Sequence, residues 1–178
     1  MQTEPCRAGT IVKADYCALV RCEAEFEVPE GYPNVLLFYQ KAAAAAVRWS
    51  EEILGEKAKK EYELLPDLWA KARFLPYRFR LRGKPIFEDP GHFALLCESA
   101  LLRGSERSVR RSAQVWGKRE QTILPGREIL RRFGCKKTTI PKEFRADGWY
   151  PENGELVFFR NPDFKSPFSE KKIKIILK

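Results

Sequence analysis

The stretch from Tyr16 to Val28, YCALVRCEAEFEV, leaves the chain the least freedom. On an extended backbone Tyr16, Ala18, Val20, Cys22, Ala24, Phe26 and Val28 share one side, while Arg21, Glu23, Glu25 and Glu27 share the other. Only Leu19 breaks the alternation. A period of two sustained over this length predicts a half-buried strand with one wet, acidic face. The two prolines and the glycine of PEGYP then end it. The apolar side of such a strand needs cover, and the following segments have to supply it.

Residues 34–65 read as that cover. Asn34 is a suitable N-cap, and the alanines at 42–46 are the best helix formers. Leu36, Tyr39, Ala43, Ala46 and Ile53 recur at helical spacing. Gly55 is a break point and Pro66 a stop. The next stretch, PDLWAKARFLPYRFRLRGKPIFEDP, predicts a short helix and then a connection in which aromatics and cations interleave: Trp69, Lys71, Arg73, Phe74, Tyr77, Arg78, Phe79, Arg80 and Arg82. This suits base stacking with phosphate contacts alongside, making Trp69, Phe74 and Tyr77 candidate stacking residues. It suits equally a loop whose aromatics pack inward while its arginines face water.

DPGHFALLCESALL reads as another helix, with Asp89 as cap and Pro90 in the first turn. Gly104-Ser105 divides it from LLRGSERSVRRSAQVWGKRE, residues 101–120. At about 100° per residue, Arg107, Arg110, Arg111 and Lys118 fall within roughly 80° of Arg103, and Leu102, Val109, Ala113 and Trp116 gather on a separate flank. The stretch therefore predicts an amphipathic helix with a basic stripe. Arg131, Arg132, Lys136 and Lys137 would extend it. Asn153-Gly154 marks a hairpin between aromatic arms, and KKIKIILK alternates as a final strand. The expected fold class is α+β. Residues 1–32 and 133–178 would form a small antiparallel, β-barrel-like unit built from both chain ends, and residues 33–132 a helical insertion.

Charge distribution narrows the function. Residues 1–30 hold three basic residues against six acidic, whereas residues 99–145 hold thirteen against four. Clustering of this kind is the electrostatic footprint of a polyanion binder. Five cysteines in no metal-binding pattern, with one histidine, point to reduced thiols in a cytoplasmic protein. No apolar run is long enough to span a membrane, and no secretion signal opens the chain. There is no phosphate loop, metal-ligand cluster or nucleophile elbow, so no cofactor, metal or catalytic residue is expected. His92 suits a capping role at an element start.

The order of elements resembles the N-terminal wedge and recognition region of TnpB nucleases and compact type V CRISPR effectors. The likeness rests on YCALVRCEAEFEV followed by NVLLFYQKAAAAAVRWSEEI, on SERSVRRSAQVWGKRE, on RRFGCKKTTIP, and on GELVFFRNPDF with KKIKIILK. It implies a protein that grips RNA, and DNA beside it, without the nuclease domain, which a separate chain or domain would supply. Structured RNA or an RNA–DNA hybrid is then the expected ligand, lined by Arg103, Arg107, Arg110, Arg111, Lys118, Arg131, Arg132, Lys136 and Lys137. Two rivals stand beside this reading. One is a metal-independent CRISPR-RNA-processing ribonuclease using His92 or Tyr77. The other is an interaction subunit for an acidic protein partner.

Overall fold

The computed structural model describes residues 1–125, 128, 131, 147–152, 155–161 and, as backbone, 171–176. β1 (Thr3–Ala14) and β2 (Cys17–Pro29) form an antiparallel hairpin. The chain then crosses the sheet through α1 (Pro33–Trp49), a π-helical turn (Ser50–Leu54), α2 (Gly55–Glu63) and a short α3 (Leu68–Ala72). β3 (Tyr77–Glu88) returns parallel to β2. β4 (His92–Arg103), β5 (Glu106–Gly117) and β6 (Thr122–Ile123) continue as an antiparallel meander. The six strands lie in sequence order and curl into half a barrel, with β1 and β6 as separate edges. β7 (Gly148–Glu152), β8 (Glu155–Arg160) and β9 (Lys171–Ile176) form a second, antiparallel sheet.

The molecule is thus a mixed α+β protein, but the barrel-like unit made from both chain ends does not form. The N-terminal hairpin pairs with β3, which lies inside the segment expected to be a helical insertion, and the C-terminal strands make their own sheet. Residues 92–117, expected as two helices, are the hairpin β4–β5, turned at Gly104 with φ +55°. The reason lies in burial. Phe93, Leu95 and Cys97 pack beneath the helices, while Ala94 and Leu96 pack on the other side against Ile86 and Trp149 or Tyr150 and Phe159. A strand covered on both faces loses its alternation, and the run FALLC then has no period to distinguish it from a helix.

Alternation does order β2. Val20, Cys22, Ala24, Phe26 and Val28 face the helices and are buried. Leu19 is the extra residue of a bulge opposite Val12 and Lys13, which turns it inward to Leu54, Ala58 and Tyr62. α1 begins with Pro33 in its first turn, Tyr32 occupying the cap position in place of Asn34. Its buried stripe runs through Val35, Tyr39, Ala43 and Ala46, then continues at Ser50, Leu54, Ala58 and Tyr62. Steps of four drift by about 40° each on a regular α-helix, and the wider π turn takes up part of that drift. It also moves the buried position from the expected Ile53, which is exposed, to Leu54.

Below the helices, Tyr39 donates to Gln114 Oε1 at 2.6 Å and accepts from Trp116 Nε1 at 3.2 Å, tying α1 to β5. Burial pushes the Tyr39 hydroxyl far above the ordinary tyrosine range. Gly83 sits in register beside Phe26, whose ring covers the space a Cβ would need, and Gly148 stands opposite Phe159 in the same way.

Candidate binding face

The helices cover one face of the six-stranded sheet, and the second sheet covers only one end of the other. The rest of that second face is uncovered among the described residues. It carries the odd-numbered residues of β2 from Arg21 to Glu27, and on β3 the even-numbered run Arg78, Arg80, Arg82 and Lys84. YRFRLR alternates as cleanly as β2, with Tyr77, Phe79 and Leu81 toward the helices and the three arginines away from them. That alternation, read across PYRFRLRG, was the signal for a strand.

Register places these side chains in rows across the sheet. The first row is Ile11, Arg21, Arg78, Leu102 and Arg107. The second is Gly9, Glu23, Arg80, Ala100 and Val109, and the third is Arg7, Glu25, Arg82, Glu98 and Arg111. Pairing differs by row. Arg80 pairs with Glu23 at 3.3 Å, Arg7 with Glu25 at 2.7 Å, and Arg111 with Glu98 at 2.9 Å. In the first row, Arg21, Arg78 and Arg107 form no ion pair among the described residues. Arg21 and Arg78 are cross-strand neighbours, and like charges in that relation cost stability.

The predicted basic stripe is not assembled. Arg107 and Arg111 lie on the open face, whereas Arg103 and Arg110 lie on the helix side, because alternate residues of a strand point opposite ways. Arg103 pairs with Glu61 at 2.7 Å, donates to Tyr77 Oη at 2.6 Å and covers the Phe74 and Tyr77 rings. Lys118, beyond β5, pairs with Glu88 at 2.7 Å, the hydrogen bond that raises its pKa. Arg131 is exposed. Arg132, Lys136, Lys137 and Cys135 lie outside the described residues.

Of the stacking candidates, Tyr77 is buried and donates to Glu61 Oε1 at 2.8 Å, and Phe74 packs edge-on against Tyr62. Trp69 on α3 is exposed. It lies near the β1–β2 turn, at the end of the sheet where the first row stands, since the Cys17 thiol reaches Lys71 O at 3.5 Å and Tyr62 donates to Asp15 at 3.1 Å. Tyr16, Leu64, Leu68 and Leu75 are also exposed. Beside Arg78 a hollow of about 230 Å³ is lined by Leu75, Pro76 and Leu102.

Of the two residues named for the ribonuclease alternative, Tyr77 stands against Arg103 and His92 does not. His92 and Arg103 occupy opposite ends of β4, about 36 Å apart on an extended strand, and Tyr77 lies at the Arg103 end. His92 Nδ1 lies 3.1 Å from Asp89, whose Oδ1 also accepts from the Gly91 and His92 amides. Asp89 therefore caps a turn leading into a strand, not a helix. Among the described residues no helix is long and apolar enough to cross a membrane.

A six-stranded sheet roofed by helices on one face, with a second sheet against one end of the other, defines an α+β fold whose exposed sheet face is the candidate site. That fold is found in solved structures. A DUF3298 family protein from Pseudomonas aeruginosa PAO1 matches over 98% of this chain and 89% of its own, with a TM-score of 0.59 and 12% identity. A member of the same family from Bacteroides fragilis NCTC 9343 matches over 98% and 90%, with a TM-score of 0.52 and 8% identity. No protein-family model and no curated protein matches the sequence. The neighbours overturn the resemblance to TnpB and CRISPR effectors: the shared fold is that of DUF3298 proteins, and SERSVRRSAQVWG, which carried the likeness as a helix, is strand β5.

Proposed function

We propose that the protein is a non-catalytic interaction module that docks an acidic protein partner on the open sheet face, at the end where the first row stands. The observation that carries this reading is the row Arg21, Arg78 and Arg107. It spans about 14 Å of sheet with no acid partner among the described residues. Such a row is unfavourable in the free protein and is relieved by a ligand's negative charge. Arginine beside exposed tryptophan and tyrosine is the composition of interface hot spots, and the Leu75–Pro76–Leu102 hollow offers an anchor for an apolar side chain. The adjoining carboxylates Glu23, Glu25 and Glu98 favour a protein over a phosphate backbone. A folded partner can set cations against them, whereas a polynucleotide presents one sign throughout.

A polynucleotide is the second reading, favoured by the same arginine row. Affinity purification with wild type and with Arg78→Glu and Arg110→Glu variants separates them. The expected result is one acidic protein retained stoichiometrically, lost on Arg78→Glu and kept on Arg110→Glu, which changes the opposite face. Binding of RNA with a log–log salt slope steeper than about −3, abolished by Arg78→Glu, would select the polynucleotide. Neither reading survives if Arg78→Glu changes no binding.

A further inference from the structure

The open face holds a second feature, some distance from the first row. Farther along the strands there is a cleft of about 500 Å³ lined by Glu25, Glu27, Arg82, Lys84, Leu96, Glu98 and Arg111. Leu96 also packs against Tyr150, Val157 and Phe159 of the second sheet. Arg82 lies about 13 Å along β3 from Arg78.

The charges here are paired in an uneven way. Arg82 stands in register between Glu25 on β2 and Glu98 on β4. Glu25 is taken by Arg7 at 2.7 Å, and Glu98 by Arg111 at 2.9 Å. Both acids are thus committed to arginines on the outer strands. The Arg82 guanidinium between them is exposed and forms no ion pair among the described residues. Lys84, the next residue on the same face of β3, is exposed and likewise unpaired among them, and Leu96 is its cross-strand neighbour.

We infer that this cleft is a separate binding site for a short organic dicarboxylate. Arg82 takes one carboxylate, since the planar fork of a guanidinium matches two carboxylate oxygens. Lys84 takes the second, about 7 Å along the strand. Leu96, across from Lys84, offers the hydrocarbon an apolar contact. The site is independent of the first row, because it uses none of Arg21, Arg78 or Arg107.

Glutarate and its neutral diamide, glutaramide, are the probes, titrated calorimetrically and by amide NMR into the whole protein. Glutarate is expected to bind saturably, with shifts centred on Arg82, Lys84 and Leu96, while glutaramide does not bind. Arg82→Gln should weaken glutarate roughly tenfold or more. Arg82→Lys should weaken it less, keeping the charge without the fork, and Arg78→Gln should leave it unchanged. N-acetyl-Ala-Ala tests whether a peptide chain end is the better source of the carboxylate. Tighter binding of that peptide than of glutarate would overturn the dicarboxylate assignment. Non-saturable glutarate titration, equal binding by glutaramide, or unchanged affinity in Arg82→Gln would remove the site and leave the docking reading untouched.

Discussion

Asn161 holds the edge of β5 at Arg111 through both ends of its carboxamide. Oδ1 accepts from the Arg111 amide at 2.6 Å, and Nδ2 donates to the Arg111 carbonyl at 2.9 Å. The side chain thereby does what a neighbouring strand's peptide group would do. It is fixed in turn by its own amide, which donates to Asp147 Oδ2 at 2.7 Å. The clamp joins the end of the second sheet to the first.

Asn161→Ala should therefore cost about 1–3 kcal/mol, because it removes two hydrogen bonds and leaves a partly buried backbone pair without its partner. Asn161→Asp keeps the acceptor but sets an oxygen against the Arg111 carbonyl, so it should not rescue. Chemical denaturation gives the magnitude. Hydrogen exchange at the Arg111 amide gives the location, and unchanged protection there in Asn161→Ala would refute the clamp.

The arginine row predicts an inverse relation between stability and binding. Arg78→Gln removes one of two adjacent like charges and should stabilise the free protein by up to about 0.5 kcal/mol. The gain should shrink as salt is raised, since exposed charges are screened. A thermal melt at low and high ionic strength measures it. A variant that is less stable at low salt would show that the charge is compensated in the free protein.

Under the helices, a methyl group on Gly83 would collide with the Phe26 ring. Gly83→Ala should destabilise by about 1–3 kcal/mol. Phe26→Leu in the same chain should recover part of that loss, and the coupling between the two sites is read from a double-mutant cycle. Strict additivity would show that the ring moves aside without cost.

Alkaline pH should loosen the fold in stages. Burial pushes the Cys97 thiol up to about 11, and it raises Tyr62 to about 12 with help from hydrogen bonds to Cys17 and Asp15. In each case the folded protein keeps a proton that the unfolded chain gives up earlier. The resulting stability is complete below the unfolded pKa, near 9 for the thiol, and is lost as pH rises through the folded value. Between about pH 9 and 11 the Cys97 contribution should fall by roughly 1–3 kcal/mol, and Cys97→Ala should flatten that part of the profile. An unchanged slope in the variant would assign the loss elsewhere.

How much of this was legible beforehand depends on how evenly each element is buried. β2 has one wet face, so its alternation named the inward residues from Val20 to Val28. The bulge at Leu19, which no periodicity encodes, reverses the parity before it, so that Cys17 packs inward and Tyr16, expected on the apolar side, is exposed. The antiparallel pairing of β7 with β8 was legible because turn chemistry is local, and Glu152 pairs with Glu155 on either side of Asn153 and Gly154, which themselves lie outside the described residues. Residues 93–97 were not, because burial on both faces erases the pattern. That single misreading turned β5 into a helix and gathered Arg103, Arg107, Arg110 and Arg111 onto one side, whereas a strand sends them to two. Asp89 shows the same ambiguity on a smaller scale, since a carboxylate that accepts from the next amides begins a helix or a turn with equal ease. Arg21 and Arg78 meet only through a pairing across fifty-odd intervening positions, which no local pattern carries.

The sheet consists of two lobes stitched along one line. On either side of it, the hairpin β1–β2 and the meander β3–β6 zip up through neighbours close in sequence. The parallel join between β2 and β3 can close only once the whole stretch from Gly31 to Pro76 has looped back. This stitch should therefore be the last to close, and a cut in the loop around Pro66 should leave two fragments able to find each other again and restore the join.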